Sequence, residues 1–166
     1  TIGGDDTNTT AGDLLAFLSS ENYNLAVVGM PKTIDNDVTP IEQTLGAYTA
    51  AENTATFFRN IVNENTTSSR QLIIHEVMGR NCGWLTAYSA YLYRQSLDHK
   101  DFIPELQIYQ NKWDVHAVYI PEVEFDLDAE VERLGKVMDR FDCVNVFLSE
   151  GAGLDNIINE KVKNGE

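Results

Sequence analysis

Leu25-Ala26-Val27-Val28-Gly29-Met30 runs directly into Pro31-Lys32-Thr33-Ile34-Asp35-Asn36-Asp37. The first six residues are short, apolar and valine-rich, which predicts a buried strand that Pro31 ends. The next seven set two carboxylates two residues apart beside a lysine. Polar residues just past the C-terminal end of such a strand stand where open α/β sheets build their sites. A carboxylate there is suited to take a proton from a hydroxyl, and a neighbouring ammonium to hold a phosphate oxygen. Asp, Asn and Thr are equally common in solvated turns, so this stretch alone leaves both readings open.

Upstream, Thr1-Ile2 reads as the last residues of a strand, and Gly3-Gly4-Asp5-Asp6 as the turn after it. Paired glycines let backbone amides approach a phosphate closely, and Asp5 is suited to hold Mg²⁺ directly or through water. A helix is predicted from about Ala11 to Ser20, with Leu14, Leu15, Phe17 and Leu18 on its apolar face. Downstream, Leu45, Tyr48, Ala51, Ala55, Phe58 and Val62 recur at helical spacing, predicting a long helix from Ile41 to about Asn63. Gln71 to Val77 is the next strand, followed by Met78-Gly79-Arg80-Asn81-Cys82-Gly83, where glycines flanking an arginine suit contacts to a phosphorylated ligand. A helix from Leu85 to about Ser96, an irregular stretch to Asp114 and a strand from His116 to Pro121 come next. They are followed by a helix from Leu127 to about Phe141 and a strand from Val144 that runs into Ser149-Glu150-Gly151. Strands alternating with helices predict an α/β fold, a three-layer Rossmann-like arrangement around a mostly parallel sheet, with the polar turns at one edge.

The 166 residues carry a net charge of −14, which argues against nucleic-acid binding and obliges any anionic substrate to be met by local cations and a divalent metal. Much of that charge lies between Glu122 and Glu132, read as a solvated loop and helix face. No apolar run is long enough to span a bilayer. Cys82 and Cys143 stand apart, without a Cys-x-x-Cys pair, which fits a reducing cytoplasmic setting. His75, His99 and His116 show no metal-ligand spacing, and His75 is read as structural.

Four of these turns together resemble the phosphofructokinases: Gly-Gly-Asp-Asp at 3–6, Pro-Lys-Thr-Ile-Asp-Asn-Asp at 31–37, Met-Gly-Arg at 78–80 and Ser-Glu-Gly at 149–151. Pro-Glu-Val-Glu-Phe at 121–125 is similar to the same family, and the resemblance covers essentially the whole chain. It implies the phosphofructokinase fold and phosphoryl transfer to the 1-hydroxyl of fructose 6-phosphate. Asp35 then resembles the base, with Lys32 and Arg80 beside it in catalysis. Thr33, Ile34 and Asp37 fall in the substrate-binding loop with Asp35. Met78, Gly79, Arg80 and Glu150 resemble contacts to the sugar phosphate, with Arg80 also near the transferred phosphoryl, and Asp5 resembles the Mg²⁺ ligand. Gly4, Asp6 and Lys32 fall on the donor side. ATP-dependent members usually carry glycine where this chain has Asp6 and Lys32, so the resemblance is to the pyrophosphate-dependent branch. An ATP-dependent phosphofructokinase and a non-catalytic regulatory homologue are the competing readings. The family's N-terminal glycine-rich motif and C-terminal histidine- and arginine-bearing motif do not occur in these residues. Residues 1–166 therefore read as the central part of a catalytic region, inactive in isolation and homo-oligomeric at full length. A family arginine that reaches a neighbouring subunit falls near Arg70, one residue out of register.

Overall fold

Parallel strands flanked by helices make up the structure, a computed structural model that describes residues 1–106 and 108–164. They group into two units, Thr1–Tyr48 and the residues from Thr49 onward.

In the first unit, β1 (Ile2–Gly3) pairs in parallel with β2 (Met30–Pro31), Ile2 opposite Met30 and Gly3 opposite Pro31. Between them runs α1 (Asp5–Ser20). Of the buried strand expected over 25–30 only Met30 pairs, and Pro31, expected to end it, pairs as well; both are exposed. A strand needs a neighbour, and the pairing ends where the Thr1 ammonium donates to the Val28 carbonyl at 2.8 Å. α1 begins six residues earlier than expected, because Gly4 in extended conformation caps it and Asp5 and Asp6 complement the positive end of the helix dipole. Of the apolar face expected for α1, Leu15 and Leu18 are half-buried, whereas Leu14 and Phe17 are exposed.

The long helix expected from Ile41 starts only at α2 (Ala47–Ile61). Gly46 at φ +87° cannot belong to a right-handed helix, and residues before it form turns that leave Leu45 exposed. A 3₁₀ turn over Val62–Thr66 follows.

The second unit holds β3 (Gln71–Val77), β4 (Ala117–Tyr119) and β5 (Cys143–Ser149), all parallel, in the order β3-β5-β4. Helices α3 (Trp84–Leu97), α4 (Leu127–Phe141) and α5 (Leu154–Asn164) follow the three strands in turn. The expectation of one sheet gives way to two separate pairings, one in each unit. On one face of β5, Phe147 meets Phe58 of α2 at a ring separation of 4.5 Å, and Phe58 meets Tyr93 of α3 edge-on at 4.7 Å. On the other face, Val144, Val146 and Ala117 pack against Leu134, Val137 and Met138 of α4. Helices on both faces produce three layers. Leu72 and Ile74 of β3, on the α4 side, stay more than half exposed.

A buried polar junction fastens β5 to the irregular stretch before β4. The Asn145 amide donates to the Lys112 and Asp114 carbonyls at 3.0 and 2.8 Å. Its oxygen accepts from Asn65 at 2.7 Å, and Asn65 donates again to Lys112. Both asparagines are fully buried, and their amide nitrogens and the Asn145 oxygen are paired, as buried polar groups usually are.

Candidate active site

In the first unit the ends of β1 and β2 bring two of the predicted turns side by side. The Lys32 amide donates to the Gly3 carbonyl at 2.7 Å, one step past the last strand pair. Gly4 packs close by, its missing Cβ 3.9 Å from the Lys32 carbonyl. Asp5 and Asp6 stand exposed in the first turn of α1, and Lys32 is exposed at the end of β2. Two carboxylates offset the anion-attracting dipole of this helix end, so a phosphate arriving here needs a cation to balance them.

Beyond Lys32 the chain folds around Asn36, which takes φ +58°, a left-handed conformation that asparagine tolerates. Its side-chain oxygen accepts from the Thr44 amide at 2.9 Å and its amide donates to the Glu42 carbonyl at 3.3 Å. The Asp35 amide donates to the Thr33 hydroxyl at 3.0 Å. Thr33, Ile34 and Asp35 end half-buried and Asp37 exposed. Asn36 and Thr44 were not among the predicted site residues. The available signal was an asparagine between two aspartates, a residue type that bonds readily to its own backbone.

In the second unit β3 and β5 lie side by side in register, Val77 opposite Ser149, so Met78-Gly79-Arg80 and Glu150 emerge at one end of one sheet. The Glu150 amide continues the ladder to the Val77 carbonyl at 3.0 Å. Met78, Arg80 and Glu150 are exposed, while Gly79 and Gly151 are buried. Gly79 takes φ +132°, and a Cβ there would lie 2.3 Å from the Cys82 carbonyl oxygen. Glu122 is exposed, as expected of the acidic surface, and its carboxylate also accepts the Gly83 amide at 2.7 Å. Arg70 lies at the start of β3, the far end from this turn, and pairs with Asp139 at 2.8 Å.

Among the described residues no cluster of three or more His, Cys, Asp or Glu could hold a metal by itself. The exposed Asp5–Asp6 pair fits the other mode, in which Mg²⁺ keeps its waters and is shared between a carboxylate or two and substrate phosphates. His75 is wedged among Phe57, Phe58 and Phe147, and burial holds it below the ordinary histidine value. It is a packing residue. Burial likewise pushes the Cys143 thiol up to about 11, so it stays protonated. No described helix is long and apolar enough to cross a membrane.

The sequence matches the Phosphofructokinase family over residues 1–165. The chain belongs to the phosphofructokinase family. Among its relatives, a pyrophosphate–fructose 6-phosphate 1-phosphotransferase of Methylomonas methanica is 57% identical over all 166 residues. Another of that name, from Mastigamoeba balamuthi, is 55% identical over the same span. This phosphofructokinase chain covers 41% and 40% of their respective lengths. The crystal structure of a pyrophosphate-dependent phosphofructokinase from Marinobacter aquaeolei superposes with a TM-score of 0.58 at 26% identity. That match covers 98% of this chain and 40% of the other. The phosphofructokinase fold expected from the sequence is thereby borne out.

Proposed function

We propose that the protein transfers a phosphoryl group from inorganic pyrophosphate to the 1-hydroxyl of fructose 6-phosphate, giving fructose 1,6-bisphosphate and orthophosphate. The observation that carries the reading is that Asp6, in the first turn of α1, and Lys32, just past β2, stand on two turns joined by the bond from the Lys32 amide to the Gly3 carbonyl. A carboxylate at 6 is set against the α-phosphate of a nucleotide, and an ammonium at 32 favours a compact, highly charged donor. Relatives bearing the pyrophosphate-dependent name at more than half identity support it.

Asp35 accepts the proton of the 1-hydroxyl as the sugar oxygen attacks phosphorus. The bond to the bridging oxygen breaks, and orthophosphate leaves with that electron pair. Phosphoryl transfer asks the protein chiefly for position and charge neutralisation. Lys32 and Arg80 provide the positive charge. Thr33, Ile34 and Asp37 hold the loop and sugar, and Met78, Gly79 and Glu150 bind the sugar phosphate. Asp5 would hold Mg²⁺, which when bound screens the charge of the donor. The same resemblance assigns a cytoplasmic homo-oligomer, with Gly4 leaving space for the donor.

Initial rates of the full-length protein with each donor test this reading. Turnover with pyrophosphate and none with ATP is expected. Saturable turnover with ATP alone would overturn it.

A further inference from the structure

We propose that Ser149 and Glu122 are positioning residues that clamp the Arg80 turn at its two ends. The inference rests on the reading of Arg80 as a contact to the sugar phosphate. The turn joins β3 to α3. At its first end the Ser149 hydroxyl, fully buried, donates to the Gly79 carbonyl at 2.5 Å. Two residues after Ser149, Gly151 packs so closely that a Cβ there would lie 1.7 Å from the Arg80 carbonyl oxygen. At the other end Gly83 caps α3, and its amide donates to the Glu122 carboxylate at 2.7 Å. A carboxylate is favoured at that helix end by the dipole.

Arg80 therefore hangs from a short arch pinned on both sides, with its backbone against Gly151 and its side chain exposed. Ser149 is spent on Gly79 and cannot reach a ligand from its buried position. Glu122 is spent on a backbone amide. Both act through Arg80. Guanidinium–phosphate recognition is directional, and a site displaced by about 1 Å loses up to about 100-fold in rate. The residues that hold the arch thus set how well the sugar phosphate is gripped. Binding of pyrophosphate, assigned to Gly4, Asp6 and Lys32, is set elsewhere, and the share of Arg80 in the transferred charge is read in kcat rather than in KM for pyrophosphate.

The test uses full-length protein carrying Ser149→Ala, Ser149→Cys, Glu122→Ala or Glu122→Gln. Fructose 6-phosphate binding is measured by calorimetry, and KM for both substrates by initial rates. Ser149→Ala and the near-isosteric Ser149→Cys should each weaken fructose 6-phosphate about tenfold while KM for pyrophosphate stays within about twofold. Glu122→Ala should weaken the sugar phosphate several-fold, and Glu122→Gln, which keeps the acceptor oxygen, should restore it. Unchanged fructose 6-phosphate affinity in the alanine variants would overturn the clamp. So would an equal rise in both KM values, or a Glu122→Gln variant no better than Glu122→Ala. Wild-type protein that binds no fructose 6-phosphate would overturn the functional reading itself, and the clamp with it.

Discussion

Asn145→Ala should be among the most destabilising single changes in the second unit. The wild-type side chain makes three buried hydrogen bonds, to the Lys112 and Asp114 carbonyls and from Asn65. Alanine removes all of them; the Asn65 amide and the Lys112 carbonyl keep each other at 2.7 Å, while the Asp114 carbonyl loses its side-chain partner. At about 1 kcal/mol net for each bond, the loss is about 3 kcal/mol. With a urea slope of about 2 kcal/mol per molar, the unfolding midpoint should fall by about 1.5 M. Arg70→Ala serves as the control, because its ion pair with Asp139 is exposed on both sides and should shift stability by under about 0.5 kcal/mol. A cycle with Asn65→Ala should show coupling above about 0.5 kcal/mol, since the two amides bond directly. If Asn145→Ala moves the midpoint no further than Arg70→Ala does, the buried junction does not hold β5 as argued.

Asp35→Asn should preserve folding and fructose 6-phosphate binding while lowering kcat by roughly 10²–10⁴-fold, and wild-type turnover would reduce Asp35 to a turn residue. Lys32→Gly should weaken pyrophosphate use by a few kcal/mol of transition-state stabilisation, roughly the loss seen for such charges, while Asp6→Gly should admit ATP weakly. Kinetics with both donors on both variants check this, and intact pyrophosphate use together with undetectable ATP use would refute it. Burial holds both His75 and His116 below the ordinary histidine value, so the unfolded chain binds their protons more readily than the folded one. Their contribution to stability is complete above about pH 6.5 and is lost as pH falls through the lowered folded values, at up to about 1.4 kcal/mol per pH unit for each. Protonating His116 would also forfeit the bond its Nδ1 accepts from the Asn145 backbone N–H at 2.9 Å. Urea midpoints between pH 7 and 5 should therefore flatten in His75→Phe and His116→Gln, and unchanged slopes would contradict this.

Where local pattern decides structure, the sequence was readable. β3 occupies the residues expected of it, and α4 runs over Leu127–Phe141 as its periodicity predicts, with Asp126 capping it through the Ala129 amide. Where partners are distant, it was not. The valine-rich run over 25–30 could not announce that only its last residue, Met30, would pair, together with the Pro31 expected to end the strand, because pairing depends on β1. The start of α2 was hidden by apolar residues at helical spacing on both sides of Gly46, whose backbone conformation overrides the pattern. The same division holds at the site. Asp5, Lys32, Asp35, Arg80 and Glu150 are proposed from residue type, from position after strands and from the family resemblance. Ser149 and Glu122 could not be named in this way, because they bond to backbone groups 70 and 39 residues away. Side chains proposed to meet substrate are legible by type, whereas those that hold a turn are legible only in the fold.

Phosphorus NMR of full-length protein incubated with fructose 6-phosphate, pyrophosphate and Mg²⁺ follows the transferred group itself. The pyrophosphate signal should decay while a phosphomonoester on carbon 1 of the sugar and orthophosphate grow in equal amounts. Orthophosphate accumulating alone, or a new sugar phosphate that forms only when ATP replaces pyrophosphate, would contradict the assigned reaction.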